Sequence, residues 1–148
     1  MTPENFLFLG PAIEARLKET LPDHIRVSQA YDLSRLADGV QLVPVVFVVY
    51  SRYQVTDASL ASHAAVEQTW FTVIATRNAA QNATGNPARA EAGEIASQVV
   101  DSLLQTRFKP AKGLKLSEAP AAGSDNAGYF YLPLAWNASI TFARESCP

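Results

Sequence analysis

The segment Val43-Pro-Val-Val-Phe-Val-Val-Tyr50 constrains this chain more than any other. It is a nearly unbroken run of β-branched and aromatic residues without polar alternation. Such a run suits a strand covered on both faces. It demands a sheet with material above and below it. Pro44 belongs near the start of that strand or on an edge, because it cannot donate to a ladder. The strand is predicted over 40–55. Past Tyr50 it turns polar, with Tyr50, Arg52 and Gln54 alternating against Ser51, Tyr53 and Val55. That half is expected to run beyond the core toward solvent or a partner. Thr56–Ala65 reads as a connection or hairpin tip. Val66–Arg77 reads as the returning antiparallel strand, anchored by Trp70, Phe71, Val73 and Ile74.

The remaining elements arrange themselves around this hairpin. Thr2-Pro3-Glu4 carries helix-start chemistry, and Phe6, Leu9, Ile13, Leu17 and Leu21 recur at helical spacing. Gly10-Pro11 interrupts that stripe, so the pattern predicts a first turn, a break, and a firm helix from Pro11 to about Thr20. A short strand is expected at Ile25–Ala30, followed by a loop to Gly39. A polar loop over 78–86 leads into a helix predicted from Pro87 to about Phe108, with Ala92, Ile95, Val99, Leu103 and Leu104 facing inward. A short strand at Leu114–Ser117, a loop over 118–128, and strands at Tyr129–Leu132 and Leu134–Phe142 follow, divided or bulged at Pro133. Arg144–Pro148 reads as a frayed tail. The expected fold is α+β, a mainly antiparallel sheet with two principal helices on one face, in the order α-β-β-β-α-β-β. With 148 residues and no internal repeat, 1–148 reads as one domain.

Chemistry is sparse. The 12 basic and 14 acidic residues give a net charge of -2, which does not match the basic excess of a general nucleic-acid binder. No apolar run reaches the roughly 20 residues needed to span a bilayer. No secretion signal is read at the N-terminus, so folding is expected in a reducing cytoplasm. The single cysteine, Cys147, forms neither an internal disulfide nor a cysteine-rich metal site. His63 and Glu67 have ligand spacing only if helical, and their surroundings favour a loop entering a strand. Asp57, Ser59 and His63 share one polar loop, without the separate rigid elements and oxyanion hole that a hydrolytic triad needs. No catalytic residue, cofactor or metal is assigned. A folded unit with long strand edges and no reaction centre is what an assembly domain requires.

The element order and several segments resemble the tail terminator proteins of long-tailed bacteriophages, including those of Mu-like prophages. The resemblance rests on Ile13-Glu-Ala-Arg-Leu-Lys, Val43–Tyr50, Gln68-Thr-Trp-Phe-Thr-Val-Ile-Ala75, the helix Ala90–Phe108, and Tyr129-Phe-Tyr-Leu-Pro-Leu-Ala-Trp136 with its closing strand. It implies a structural tail protein of the virion: a hexameric ring that caps the tail tube, ends its polymerisation and offers a head-joining surface. The implied partners are further copies of this chain, the tail tube protein and the head–tail connector, with no specific nucleic-acid or membrane binding. Another tail or neck completion component, and a small α+β ligand-binding domain or enzyme, are the alternatives. For subunit contact, Tyr53, Val55 and Tyr131 are the candidates. Arg52, Arg77, Arg107 and Lys109 are candidates for a lumen or partner contact.

Overall fold

A computed structural model describes residues 3–30, 42–77, 86–124 and 128–144. Two helices, α1 (Leu9–Thr20) and α2 (Asn86–Leu103), accompany six strands. These are β1 (Arg26–Ala30), β2 (Val45–Asp57), β3 (His63–Arg77), β4 (Lys115–Ser117), β5 (Gly123–Ser124) and β6 (Tyr129–Ala143). The sheet runs β1-β2-β3-β6-β4, with β5 also on β6. Every pairing is antiparallel except β1 with β2, which is parallel. This is the expected α+β order, with one parallel pair that the sequence did not announce. The loops expected around Tyr31–Gly39 and 78–85, and the tail beyond Arg144, lie outside the described residues.

The β2 run is buried on both faces, as its composition requires. Val46 and Val48 join the core beneath the helices, while Val45, Phe47 and Val49 join a second cluster on the other face with Val73 and Ala75. Both helices lie on one side. Ile13 and Leu17 of α1 and Ile95, Val99 and Leu103 of α2 meet Trp70, Ile74 and Trp136 there. The helices are tied to each other by polar contacts. Arg16 Nε donates to the Ser102 carbonyl at 3.2 Å, and the Thr20 and Ser102 hydroxyls share a hydrogen bond.

Four local expectations need correction. Helix α1 is continuous through Gly10-Pro11, because Pro11 falls in the first turn, where a backbone donor has no intrahelical partner anyway. The Thr2-Pro3-Glu4 start signal does not open a helix: residues 3–5 are non-helical, and turns lead to Leu9. Helix α2 stops at Leu103, well before Phe108, because Gln105 adopts φ 61° and donates its N–H to the Leu114 carbonyl, turning the chain back; Leu104 is consequently exposed. The last strand is one piece. Ser139 accepts the Lys112 N–H on the outer edge of β6, and alternation of two places Pro133 on that same edge. There, among the described residues, no strand pairs with β6 on its outer side between Tyr131, paired to β5, and Ala135, paired to β4. A residue without a donor is tolerated in such a gap.

Candidate functional site

The hairpin β2–β3 outruns its neighbours. β1 pairs only with Val45–Val49, so Ser51–Asp57 have β3 as their one strand partner among the described residues. Among the described residues this leaves an open strand edge on the far half of β2. Asp57 Oδ1 accepts the Ser59 N–H at 2.9 Å, and Leu60 accepts the His63 N–H at 3.2 Å, which folds the tip into a defined turn. Hydrogen bonds from the Ser59 backbone and hydroxyl hold the Asp57 carboxyl below its ordinary range.

A break in register decides which side chains this half presents. Tyr50 faces Trp70, but the next pair is Arg52 with Thr69, so Ser51 is an extra residue. Such a bulge inverts the alternation. Tyr53 faces Gln68 and Val55 faces Val66, which sits in the helix-side core. Tyr50, Tyr53 and Val55 therefore share the helix side, while Arg52 and Gln54 turn to the helix-free face. Plain alternation in the sequence grouped Tyr50 with Arg52 and Gln54 instead. Burial, and then the neighbouring Tyr53, push the Tyr50 hydroxyl above its ordinary pKa.

Tyr53 and Val55 are 53% and 51% exposed and lie beyond the reach of the helices. Phe6 completes the surface. Its ring stands edge-on to Tyr53 at 5.1 Å and stacks on Phe142 at 5.2 Å. The Phe6 carbonyl accepts Gln68 Nε2 at 2.8 Å, and Gln68 Oε1 accepts Trp70 Nε1 at 2.9 Å. Tyr53 and Val55 are exposed apolar side chains of the kind that marks a contact surface, and Phe6 and Leu7 are exposed as well. Phe6 and Leu7 were missed in the sequence reading, because Phe6 fits the α1 stripe and looks like core. At the turn, Leu60 is 62% exposed.

Tyr131 is elsewhere. It faces Ala75 on the helix-free side and lies against Tyr129, with ring centroids 6.5 Å apart. Seven residues of β3 separate its level from that of Tyr53, about 23 Å along the strand. The cations also scatter. Arg52 and Arg77 share the helix-free face, about 26 Å apart by the same measure, with Arg77 4.9 Å from the centre of the Tyr129 ring. Arg107 and Lys109 are exposed in the α2–β4 connection.

A groove of about 240 Å³ on the helix-free face is lined by Arg52, Gln54, Glu67, Thr69, Glu118 and Asn137, among others. Thr69 Oγ1 donates to Asn137 Oδ1 there at 2.9 Å. No group of three or more His, Cys, Asp or Glu placed for a metal occurs among the described residues. His63 and Glu67 both lie on β3, about 13 Å apart along the strand, too far to share an ion. His63 Nδ1 shares a hydrogen bond with the Ser62 hydroxyl at 2.8 Å, and Asp57 is engaged by Ser59, so Asp57, Ser59 and His63 form no relay. No described helix is long and apolar enough to cross a membrane.

Comparison with known proteins agrees with an assembly role. A family model described as phage tail terminator protein matches residues 4–146. A search of curated proteins gives no match. Among solved structures, a chain of the structure titled "Virion of native gene transfer agent (GTA) particle" is 19% identical, with a TM-score of 0.49. That alignment covers 91% of this chain and 88% of the other. The family match takes in both helices, every described strand and the apolar surface from Phe6 to Phe142, and on it the chain belongs to the phage tail terminator protein family.

Proposed function

We propose that this structural tail-completion protein closes into a ring on the end of the tail tube, stops further addition of tube subunits, and presents its free side to the head connector. Membership of the family makes assembly with other tail components its task, and a non-enzymatic role goes with it. The observation that carries the ring is the exposed apolar surface at Tyr53 and Val55 beside an open strand edge. An edge supplies directional backbone hydrogen bonds, and apolar anchors supply most of the affinity. One surface meeting a different surface of the next copy closes a ring when the rotation closes, and six copies are the proposed number.

In this reading the helix-free face, with Arg52 and Arg77, turns toward the lumen. Arg26 and Lys115 lie on the same face with Glu67, and cations spread in this way give a passing duplex weak, salt-screened attraction and no tight hold. Arg107 and Lys109, exposed in the α2–β4 connection, suit contact with a tail partner. Tyr131 packs beside Tyr129, so the subunit contact rests chiefly on Tyr53 and Val55. The tail of the virion is the proposed location, with assembly in the bacterial cytoplasm. Light scattering across a concentration series, in solution and with added tail tubes, tests the ring. A six-copy species in either setting supports it, and a chain that stays single in both contradicts it.

A further inference from the structure

The segment before α1 is attached to the molecule in an unusual way. Glu4, Asn5, Phe6 and Leu7 are exposed, whereas Leu9 and Gly10 are buried. Its own hydrogen bonds are local: Asn5 Oδ1 accepts the Leu7 N–H, the Asn5 carbonyl accepts the Phe8 N–H, and Leu7 accepts from Gly10. Among the described residues, Gln68 Nε2 donates to the Phe6 carbonyl and so joins the segment to the sheet. The Phe6 ring adds to this, lying across Tyr53 of β2 and Phe142 of β6. The other end is pinned. Gly10 packs so closely on Trp70 and Gln29 that a Cβ there would meet atoms at 2.8–3.0 Å. If it pivots at Phe8 the segment keeps the two bonds to Asn5, and gives up the Gly10 N–H to Leu7 bond, the Gln68 bond and the ring contacts.

We infer that Pro3–Leu7 is a strap that shields the Tyr53 and Phe142 surface in the free subunit and lifts when a second copy occupies that surface. The inference rests on the reading of Tyr53 and Val55 as subunit contact. The strap holds the same apolar side chains that a neighbour would need, so the two compete. Gln68 makes the exchange reversible. Its Oε1 stays with Trp70 Nε1, while Nε2, buried and released by the Phe6 carbonyl, is offered to an acceptor of the incoming copy. Closure holds the free subunit back from premature association, and release is coupled to docking because both draw on one surface.

Two variants and one exchange measurement test this on the full-length chain. Phe6→Ala removes the competing ring from an exposed position, so the fold survives, checked by circular dichroism. The midpoint concentration for assembly, in solution or on tube ends, should fall at least fivefold. Val55→Lys should raise it at least tenfold. The Gly10 amide, whose acceptor is the Leu7 carbonyl, should exchange at least tenfold faster in the assembly than in the free subunit. If Val55→Lys blocks assembly while Phe6→Ala leaves it unchanged or weakens it, or the Gly10 amide exchanges no faster on assembly, the strap is wrong and the contact surface stands. If Val55→Lys has no effect, the contact reading fails, and the strap with it.

Discussion

At the scale of single residues, the sharpest constraints are close approaches and buried polar atoms. Gly10 lets α1 settle directly on Trp70, and a methyl group there would strike both Trp70 and the Gln29 amide. Gly10→Ala should cost about 1–3 kcal/mol by overpacking, read as a lower urea midpoint with the slope unchanged. An unaltered midpoint would mean that the helix seat is looser than described. Trp136 is fully buried and donates Nε1 to the Thr72 hydroxyl at 2.9 Å. Trp136→Phe strands that buried hydroxyl and opens a cavity, and should cost at least 2 kcal/mol in the same experiment. The candidate contact residues behave differently. Tyr53 and Val55 are exposed, so Tyr53→Glu and Val55→Lys should leave the unfolding midpoint within about 0.5 kcal/mol while weakening assembly. Stability loss from either would show that they pack inside the chain. These two residues were legible in the sequence because an apolar side chain amid polar alternation stands out. Phe6 was not, since its place at the border of strap and stripe depends on where α1 begins.

At the scale of elements, the side-chain pattern of the β2–β3 hairpin from Arg52 to Val55 is governed by one extra residue. Without Ser51, Arg52 would follow Tyr50 directly, and ordinary alternation would place Tyr53 and Val55 where they already are. Deleting Ser51 should therefore preserve the register from Arg52 to Val55 and the apolar surface. Amide exchange and assembly of the deletion variant check this; an inverted pattern, with Tyr53 hidden and Arg52 on the helix side, would contradict it. Much at this scale was readable beforehand. The two-sided burial of Val45–Val49 follows from the missing alternation, and both helices follow from their stripes. The failures have a common cause. Pro11, Pro133 and the end of α2 depend on which neighbour, if any, asks for a backbone donor at that spot, and local composition carries no record of that. The bulge at Ser51 and the parallel β1 pairing are likewise decided by partners distant in sequence.

At the scale of the whole molecule, acid sensitivity follows from a link between α1 and β1. Burial raises the Glu14 pKa, but the Gln29 amide, which donates to Glu14 at 2.9 Å, and Lys18 Nζ at 3.1 Å outweigh it. The net result lies below the ordinary 4.5. A depressed folded-state pKa contributes stability above the unfolded value and loses it as pH falls through the folded one. The pair is largely solvated, so the effect stays under about 1 kcal/mol. Wild-type protein should lose its advantage over Glu14→Gln as pH drops from about 5 toward 3, followed by thermal unfolding; a gap that widens on acidification would reverse the sign of this argument.

The central claim concerns the assembled particle: the chain acts by shape and self-association at the end of a tube. Electron microscopy of tails assembled with and without it, measuring tube length and head attachment, tests this most directly. Tubes of uniform length joined to heads should appear only when the chain is present, and Val55→Lys should fail to restore them. Tails of normal length carrying heads in its complete absence would contradict the account.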